Sequence, residues 1–199
     1  MPDGYTIRDM ARDQVLAMKS LGMEQAYVLG VSQGGMIAQY IAIDHPEMVT
    51  KLILAVTTPN ANDVVKEAVT GWIDMVNRDD HTALMVDTAE KMYSEGYLRK
   101  NRRFFPLIAR FTKPSGYDRF MKNSSAILGC DARDELSKIC CPTLIIAGDD
   151  DKTVGNEAPH ELNSSIAGSE LFIYKGLGHG VFEEAKDFYD RVLAFCESR

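Results

Sequence analysis

The sequence of 199 residues predicts an α/β fold with a mainly parallel sheet of about four strands, flanking helices and an inserted helical cap. Short apolar runs alternate with stretches of helical periodicity, which is typical of strand–helix–strand units. The apolar runs lack polar alternation, as expected for strands that are covered on both faces. A long central segment shows only helical patterns, which predicts an insertion between two strands of the sheet.

The first quarter of the chain supplies two predicted strands and two predicted helices. Apolar residues recur with a period near 3.6 over residues 6–21, which predicts a helix, and residues 26–31 form a short apolar strand. A second helix is predicted over residues 33–45, and it ends before a proline that disfavours helical backbone in the preceding residue. Residues 51–56 are apolar and β-leaning, and they form the second predicted strand.

The central segment is predicted to be a set of amphipathic helices. These cover residues 63–76, 82–94, 95–111 and 117–128, and the third is expected to break at Pro106. Aromatic side chains at helical spacing mostly pack within a helical core, although they can also line a pocket beneath it. The aromatic residues concerned are Trp72, Tyr93, Tyr97, Phe104, Phe105 and Phe111.

The last part of the chain returns to alternating strands and helices. Strands are predicted over residues 143–147 and 170–174, and helices over residues 158–166 and 182–197. We therefore divide the chain into three parts. Residues 1–59 form the first part of the core, residues 60–129 form the helical cap, and residues 130–199 complete the core.

Composition limits the partners and the compartment. A net charge of −7 disfavours binding to nucleic acid or to an anionic membrane surface. The four cysteines do not form a disulfide framework, and no secretory signal segment is visible, so a cytoplasmic location is expected. No cysteine or histidine cluster suggests a metal site, and no cofactor is expected. These cysteines are Cys130, Cys140, Cys141 and Cys196.

A glycine-rich turn with a serine at its centre follows the first predicted strand and precedes a helix. Its sequence is Gly-Val-Ser-Gln-Gly-Gly, over residues 30–35. A strand–turn–helix of this kind exposes the Ser32 hydroxyl at the tip of a strained turn and directs helix N–H groups toward developing negative charge. We expect Gly30 and Gly34 to be required because a Cβ at either position would crowd the crossing. The alternative is a glycine-rich turn of another doubly wound fold.

Two other strand ends carry residues that fit a role with this serine. Asp149, Asp150 and Asp151 follow the third predicted strand, and His179 lies in a glycine-rich loop after the fourth. The serine, a carboxylate and the histidine thus follow one another along the chain. In such a group, His179 would remove the proton of Ser32, and the carboxylate would hold the imidazole. Taken singly, three aspartates are typical of a solvated turn, and a histidine in such a loop is more often structural.

The chain resembles the α/β-hydrolase superfamily, in particular its lidded branch of small esterases, enol-lactonases and ring-cleavage hydrolases. The resemblance implies that Ser32 is the nucleophile, that His179 is the base and that Asp151, three residues after the strand-ending glycine, is the acid. It also implies that the Gln33 N–H is an oxyanion-hole donor. The matching stretches are YTIRDMA at 5–11, GVSQGGM at 30–36, DHPE at 44–47, PTLIIAGDDD at 142–151 and GLGH at 176–179.

One departure from the family concerns the region before the first helix. Family members carry four strands and a helix there, including a loop that donates the second oxyanion N–H, and only Gln33 can be assigned as a donor in this sequence. The chain is then either a piece of a longer enzyme or a short protein with an altered site. Without a neighbouring strand, residues 26–31 would form a sheet edge, and we expect self-association through it.

The expected function is hydrolysis of carboxylic esters or lactones, with a small-molecule substrate and an acyl-enzyme intermediate. Activity is expected to be weakened by the incomplete oxyanion hole. The same scaffold also supports carbon–carbon bond hydrolysis, amide cleavage and acyl transfer, which the fold alone does not separate. A third possibility is a non-catalytic or nearly inactive remnant that acts as a binding or oligomerising module.

Overall fold

Four parallel strands form one sheet in the order β1-β2-β3-β4. The structure is a computed structural model that describes residues 2–198. The strands are β1 (Ala26–Val31), β2 (Val49–Ala55), β3 (Thr143–Gly148) and β4 (Glu170–Tyr174). The predicted parallel sheet of about four strands is therefore confirmed, and all its carboxyl ends meet along one edge, where open α/β sheets bind ligands.

Helices flank this sheet and fill the connection between β2 and β3. The insertion leaves the carboxyl end of β2 and comes back beside its starting point, where Asn60 and Asp131 form an antiparallel bridge, and the chain then crosses to the amino end of the parallel strand β3. We call residues 63–128 the helical insertion. The helices of the described chain are α1 (Ile7–Ser20), α2 (Gln33–Asp44), α3 (Asp63–Asn77), α4 (His81–Met92), α5 (Glu95–Asn101), α6 (Phe105–Thr112), α7 (Asp118–Leu128), α8 (Ala158–Ser165), α9 (Val181–Glu184) and α10 (Phe188–Glu197).

Two predicted helices are each divided in the structure. The helix expected over 95–111 is interrupted by a 3₁₀ turn at Arg102–Phe104, and Pro106 lies in the first turn of α6. Proline is tolerated there because its missing N–H would have no partner within the helix. The helix expected over 182–197 is two helices, α9 and α10. The chain becomes extended at Ala185, between the two, and the first residue of α10, Phe188, is completely buried in the core.

The core has a layer on each face of the sheet. On one face, α1 and α2 pack with the sheet through buried aliphatic side chains, and a capping box between Thr6 and Asp9 begins α1. On the other face, α9 and α10 cover β2 and β3 with Val181, Phe188 and Phe195. Burial of apolar surface stabilises the folded state by about 25 cal/mol per Å². The two layers thereby hold in place the sheet that positions the site.

A lysine of the central sheet is buried beneath the last helix. Lys51 of β2 is 9% exposed, and its Nζ donates hydrogen bonds to the carbonyl oxygens of Phe195 (2.6 Å) and Ser198 (2.5 Å). Nζ also lies 3.0 Å from Ser198 Oγ. The ammonium group therefore satisfies carbonyl groups at the C-terminal end of α10, where the helix dipole favours positive charge.

Strand β1 forms one edge of the four-stranded sheet that residues 2–198 contain. Its side chains Tyr27 and Leu29 are 54% and 39% exposed, and Leu21 and Met23 just before it are also exposed. The unpaired side of β1 is thus bordered by apolar surface. No helix among the described residues combines the length and the apolarity needed to cross a bilayer.

Candidate active site

Ser32 stands at the tip of the turn between β1 and α2. Its backbone has φ 53° and ψ −122°, a conformation that non-glycine residues rarely adopt. The turn is held by a hydrogen bond from the Ser32 N–H to the carbonyl of Ala55 (2.9 Å) at the end of β2. Strained backbone of this kind persists only where its surroundings enforce it, and it is concentrated at functional sites.

The glycines around Ser32 differ in what they do. A Cβ on Gly30 would lie 2.4 Å from the carbonyl oxygen of Gly34, so Gly30 is required for the close crossing of strand and helix. The expectation for Gly34 is wrong, because a Cβ there would meet nothing within 4 Å. The crowding falls on Gly35, whose added Cβ would lie 2.5 Å from the side chain of Thr57.

Thr57 supports the turn from the neighbouring strand end, and sequence reasoning did not identify it. Its Oγ1 donates a hydrogen bond to the carbonyl oxygen of Ser32 (2.7 Å), and the residue is buried. The preceding residue, Val56, has φ 44°, which is a strained conformation for a β-branched side chain. Two adjacent strand ends therefore carry unusual backbone, and Thr57 joins them.

Ser32, His179 and Asp151 form a continuous chain of hydrogen bonds. His179 Nε2 lies 2.9 Å from Ser32 Oγ, and His179 Nδ1 lies 2.8 Å from Asp151 Oδ2. The other carboxylate oxygen of Asp151 accepts hydrogen bonds from the N–H groups of Thr153 (2.8 Å) and Val154 (3.0 Å). Because an ionised carboxylate only accepts, the neutral imidazole carries its proton on Nδ1 and leaves Nε2 free to accept the serine proton.

The neighbouring aspartates have other partners. Asp149 Oδ1 accepts the N–H of Gly176 (2.6 Å) at the start of the histidine loop, and Asp150 forms an exposed ion pair with Lys152. Only Asp151 among the three contacts His179. The side chains of Asp151 and His179 are 2% and 8% exposed, so their hydrogen bond lies away from bulk water, where it is stronger.

Gln33 is the first residue of α2, directly after Ser32. The N–H groups of a first helical turn have no acceptor within the helix, and they carry the positive end of the helix dipole. The Gln33 N–H is therefore suited to contact negative charge beside Ser32 Oγ. The Gln33 side chain turns to α1, where its Nε2 lies 3.8 Å from Met10 Sδ.

A cavity of about 270 Å³ opens above Ser32 and His179, beneath the helical insertion. Apart from His179, the lining residues described here carry no ionisable side chain. Trp72 contributes an indole whose N–H is already donated to Asp87 Oδ2 (2.8 Å). The lining residues are Ser32, Gln33, Met36, Val65, Val69, Trp72, Thr88, Met92, Ile127, Thr153, Val154, His179 and Phe182.

Of the six aromatic residues considered as pocket lining, the described cavity contains only Trp72. Tyr93, Tyr97 and Phe105 pack into a separate cluster of the insertion, where their rings stack. Phe104 and Phe111 are exposed. The cavity instead receives Met92 and Phe182, which no sequence pattern had marked, because their contribution depends on contacts between distant parts of the chain.

None of the residues described as lining this cavity is a cysteine. Burial raises the pKa of the Cys130 thiol to about 12, so this thiol stays protonated near neutral pH. Burial also raises the pKa of Cys141. Within residues 2–198, no three histidine, cysteine or acidic side chains gather closely enough to hold a metal ion.

Known proteins share both the sequence pattern and the fold. A family model described as the alpha/beta hydrolase fold matches residues 1–186. RutD of Serratia proteamaculans, to which carbamate hydrolysis is provisionally assigned, is 24% identical over 97% of this chain and 73% of its own length. An esterase from Exiguobacterium antarcticum superposes with a TM-score of 0.83 at 25% identity, covering 98% of this chain and 75% of its own.

A further structural relative is MGS-M2, an alpha/beta hydrolase enzyme from a Medee basin deep-sea metagenome library. It superposes with a TM-score of 0.91 at 22% identity and covers all of this chain and 74% of its own. MGS-M2 and the esterase thus share the fold of this chain, and both are named as enzymes of the hydrolase class. Because the family model spans more than nine-tenths of the sequence, the chain belongs to the α/β-hydrolase fold family.

Proposed function

We propose that this chain hydrolyses carboxylic esters or lactones, with Ser32 as nucleophile, His179 as general base and Asp151 as the residue that orients the imidazole. The observation that carries the proposal is the hydrogen-bonded sequence from Ser32 through His179 to Asp151 at the floor of the apolar cavity. Similarity to an esterase and to other hydrolases agrees with it.

In the first half-reaction, Ser32 Oγ attacks the carbonyl carbon of the ester. His179 Nε2 takes the serine proton, and Asp151 stabilises the imidazolium that results. The carbonyl oxygen becomes negatively charged and accepts a hydrogen bond from the Gln33 N–H. When the tetrahedral intermediate collapses, the carbon–oxygen bond to the alcohol breaks. The leaving oxygen takes the proton from His179, which leaves an acyl group on Ser32.

The second half-reaction returns the enzyme to its starting state. His179 removes a proton from a water molecule, and the water oxygen attacks the acyl carbon. Collapse of the second intermediate breaks the bond to Ser32 Oγ, which regains its proton from His179. The products are one alcohol and one carboxylic acid, or a single hydroxy acid when the substrate is a lactone.

The cavity favours a small, uncharged substrate with an apolar acyl or alcohol part. Its volume of about 270 Å³ lies just below the range that holds drug-sized ligands. The residues that would surround such a group are aliphatic or aromatic, including Val65, Val69, Trp72 and Ile127. Since a buried unpaired charge is costly, substrates with a carboxylate on this part should be rejected.

The proposal is tested with p-nitrophenyl esters of two to eight acyl carbons and with a fluorophosphonate probe. The wild-type protein should hydrolyse the shorter esters and should be labelled by the probe. Ser32→Ala removes the hydroxyl and should abolish both turnover and labelling. The variant should still fold, since the smaller side chain fits the same space. Turnover retained by pure, folded Ser32→Ala protein would exclude Ser32 as the nucleophile.

The same measurements separate the other candidate functions. A non-catalytic remnant would show neither labelling of Ser32 nor ester turnover. A carbon–carbon hydrolase, an amidase or an acyltransferase would be labelled but would turn over its own substrate class faster than simple esters. A p-nitrophenyl carbamate belongs in the panel because RutD, to which carbamate hydrolysis is provisionally assigned, is among the relatives.

A further inference from the structure

The loop that carries His179 is fastened to the helical insertion directly beside the histidine. The N–H of Gly180 donates a hydrogen bond to the carbonyl of Met92 (2.7 Å), the last residue of α4. A Cβ on Gly180 would lie 3.1 Å from that carbonyl oxygen and 3.0 Å from the ring of Tyr93. A Cβ on Gly178 would lie 3.2 Å from the same oxygen. Both neighbours of His179 therefore rest against Met92.

A second connection follows within five residues of His179. Glu184, in α9, accepts the N–H of Ser94 at Oε1 (2.9 Å) and the hydroxyl of Ser94 at Oε2 (2.5 Å). Next to it, Glu183 accepts the hydroxyl of Tyr93 (2.7 Å). We call these contacts the clamp. Its members are Met92, Tyr93, Ser94, Gly180, Glu183 and Glu184.

The clamp contains hydrogen bonds to a charged carboxylate, which are stronger than those between neutral groups. Both oxygens of the Glu184 carboxylate are engaged, and hydrogen bonds to an ionised group are about twice as strong as neutral ones. Ser94 is buried and caps the start of α5, so the carboxylate also faces the positive end of that helix. Burial, together with the hydrogen bond to Glu183, raises the pKa of Tyr93, so its hydroxyl remains a donor at neutral pH.

The clamp also connects the histidine to the substrate cavity. Met92 lines the cavity, whereas its carbonyl holds the loop of His179. Ser94 and Glu184 do not line the described cavity, and neither contacts Ser32 or Asp151. Their contacts therefore reach His179 through the loop that carries it and not through Ser32 or Asp151.

We infer that Ser94 and Glu184 are positioning residues, which hold His179 in line with Ser32 by fixing its loop to the insertion. This inference rests on the proposed function, in which His179 is the base. A misplacement of about 1 Å in a catalytic group can cost about 100-fold in rate. Loss of the clamp should therefore lower kcat by about 10- to 100-fold and leave KM for a small ester within about threefold.

The decisive comparison is Glu184→Ala with Glu184→Gln. Alanine removes both hydrogen bonds to Ser94. A glutamine side chain retains them, since its Oε1 can accept the Ser94 N–H and its Nε2 can donate to Ser94 Oγ. Glu184→Gln should thus restore most of the kcat that Glu184→Ala loses. Glu161→Ala, a similarly half-buried glutamate on α8, is the matched control and should leave kcat unchanged.

A second readout does not depend on activity. The chain has four histidines, so the ring N–H of His179 can be followed by NMR and assigned by its loss in His179→Gln. Exchange of this proton with water should become at least tenfold faster in Glu184→Ala and should return toward the wild-type rate in Glu184→Gln. Ser94→Ala removes the hydroxyl that donates to Glu184 and also accepts the Tyr97 N–H at the start of α5, but it keeps the Ser94 N–H bond to Glu184. This variant should give an intermediate rate, and it replaces Glu184→Ala if that variant does not fold.

The outcomes separate the clamp from the proposed function. Wild-type exchange and wild-type kcat in a folded Glu184→Ala or Ser94→Ala variant would overturn the clamp. Loss of kcat without rescue by glutamine would overturn it as well. If the wild-type protein shows no hydrolysis or labelling while proton exchange responds as expected, the proposed function fails and the positioning of His179 stands.

Discussion

Replacing Asp151 by asparagine should cost far more activity than the small change in shape suggests. An asparagine side chain would keep one oxygen against the N–H groups of Thr153 and Val154, and its NH₂ group would then face His179 Nδ1. Since the amide can only donate there, His179 must move its proton to Nε2. In that tautomer Nε2 cannot accept the proton of Ser32.

The expected loss in kcat for Asp151→Asn is about 10⁴-fold, as for acid removal in other triads, which corresponds to about 5.5 kcal/mol of transition-state stabilisation. The melting temperature should change little because the backbone hydrogen bonds to the side-chain oxygen are retained. The assay is p-nitrophenyl acetate turnover by pure protein, with thermal unfolding measured on the same samples.

Two matched variants control this prediction. Asp150→Asn removes only an exposed ion pair with Lys152 and should cost less than about twofold. Asp149→Asn weakens the acceptor for the Gly176 N–H at the start of the histidine loop and should cost about tenfold or less. A larger loss at Asp149 or Asp150 than at Asp151 would refute the assignment of the acid.

Three other predictions concern the turn, the oxyanion and the sheet edge. Thr57→Val removes the donor to the Ser32 carbonyl at nearly constant shape and should lower the free energy of unfolding by about 1 kcal/mol, which corresponds to a fall of about 2–4 °C in melting temperature. The control Thr70→Val, on the exposed face of α3, should lower the melting temperature by less. With the Gln33 N–H as the assigned oxyanion donor, turnover of activated esters should be about 100-fold below the median enzyme rate of about 10 s⁻¹, and stopped-flow rates at or above that median would reveal another donor. We also propose that two copies of the chain pair along β1, so light scattering at micromolar concentration should give a mass above 22.1 kDa. Leu29→Lys, at an exposed position of β1, should lower this mass, and a monomeric wild-type protein would contradict the proposal.

The strands and the order of the candidate site residues could be predicted because their signals are local. Apolar runs such as the one in β3 mark buried strands, and the strand-ending positions of Asp151 and His179 follow from the sequence next to them. In a parallel sheet these ends meet at one edge, so local information was enough to bring distant residues together.

Other parts of the site depend on contacts that no local pattern encodes. Thr57 reaches the turn at Ser32 from 25 residues away, and Ser94 meets Glu184 across 90 residues. The exchange of roles between Gly34 and Gly35 arises in the same way, because it is set by the side chain of Thr57. Helical periodicity also continues across residues 185–187, so the division between α9 and α10 left no mark in the pattern.

The buried ammonium of Lys51 makes residues 195–198 a structural support of the sheet. Exopeptidase trimming that removed Phe195 to Ser198 would take away every acceptor that the structure gives this group. Such trimming would also remove Phe195 from the core layer of α10, and loss of a buried phenylalanine side chain typically costs about 3–5 kcal/mol, a large share of the stability of an ordinary domain. A variant truncated before Phe195 should therefore not persist as a slightly shorter, intact protein. It should be degraded completely by a protease that the untruncated chain resists.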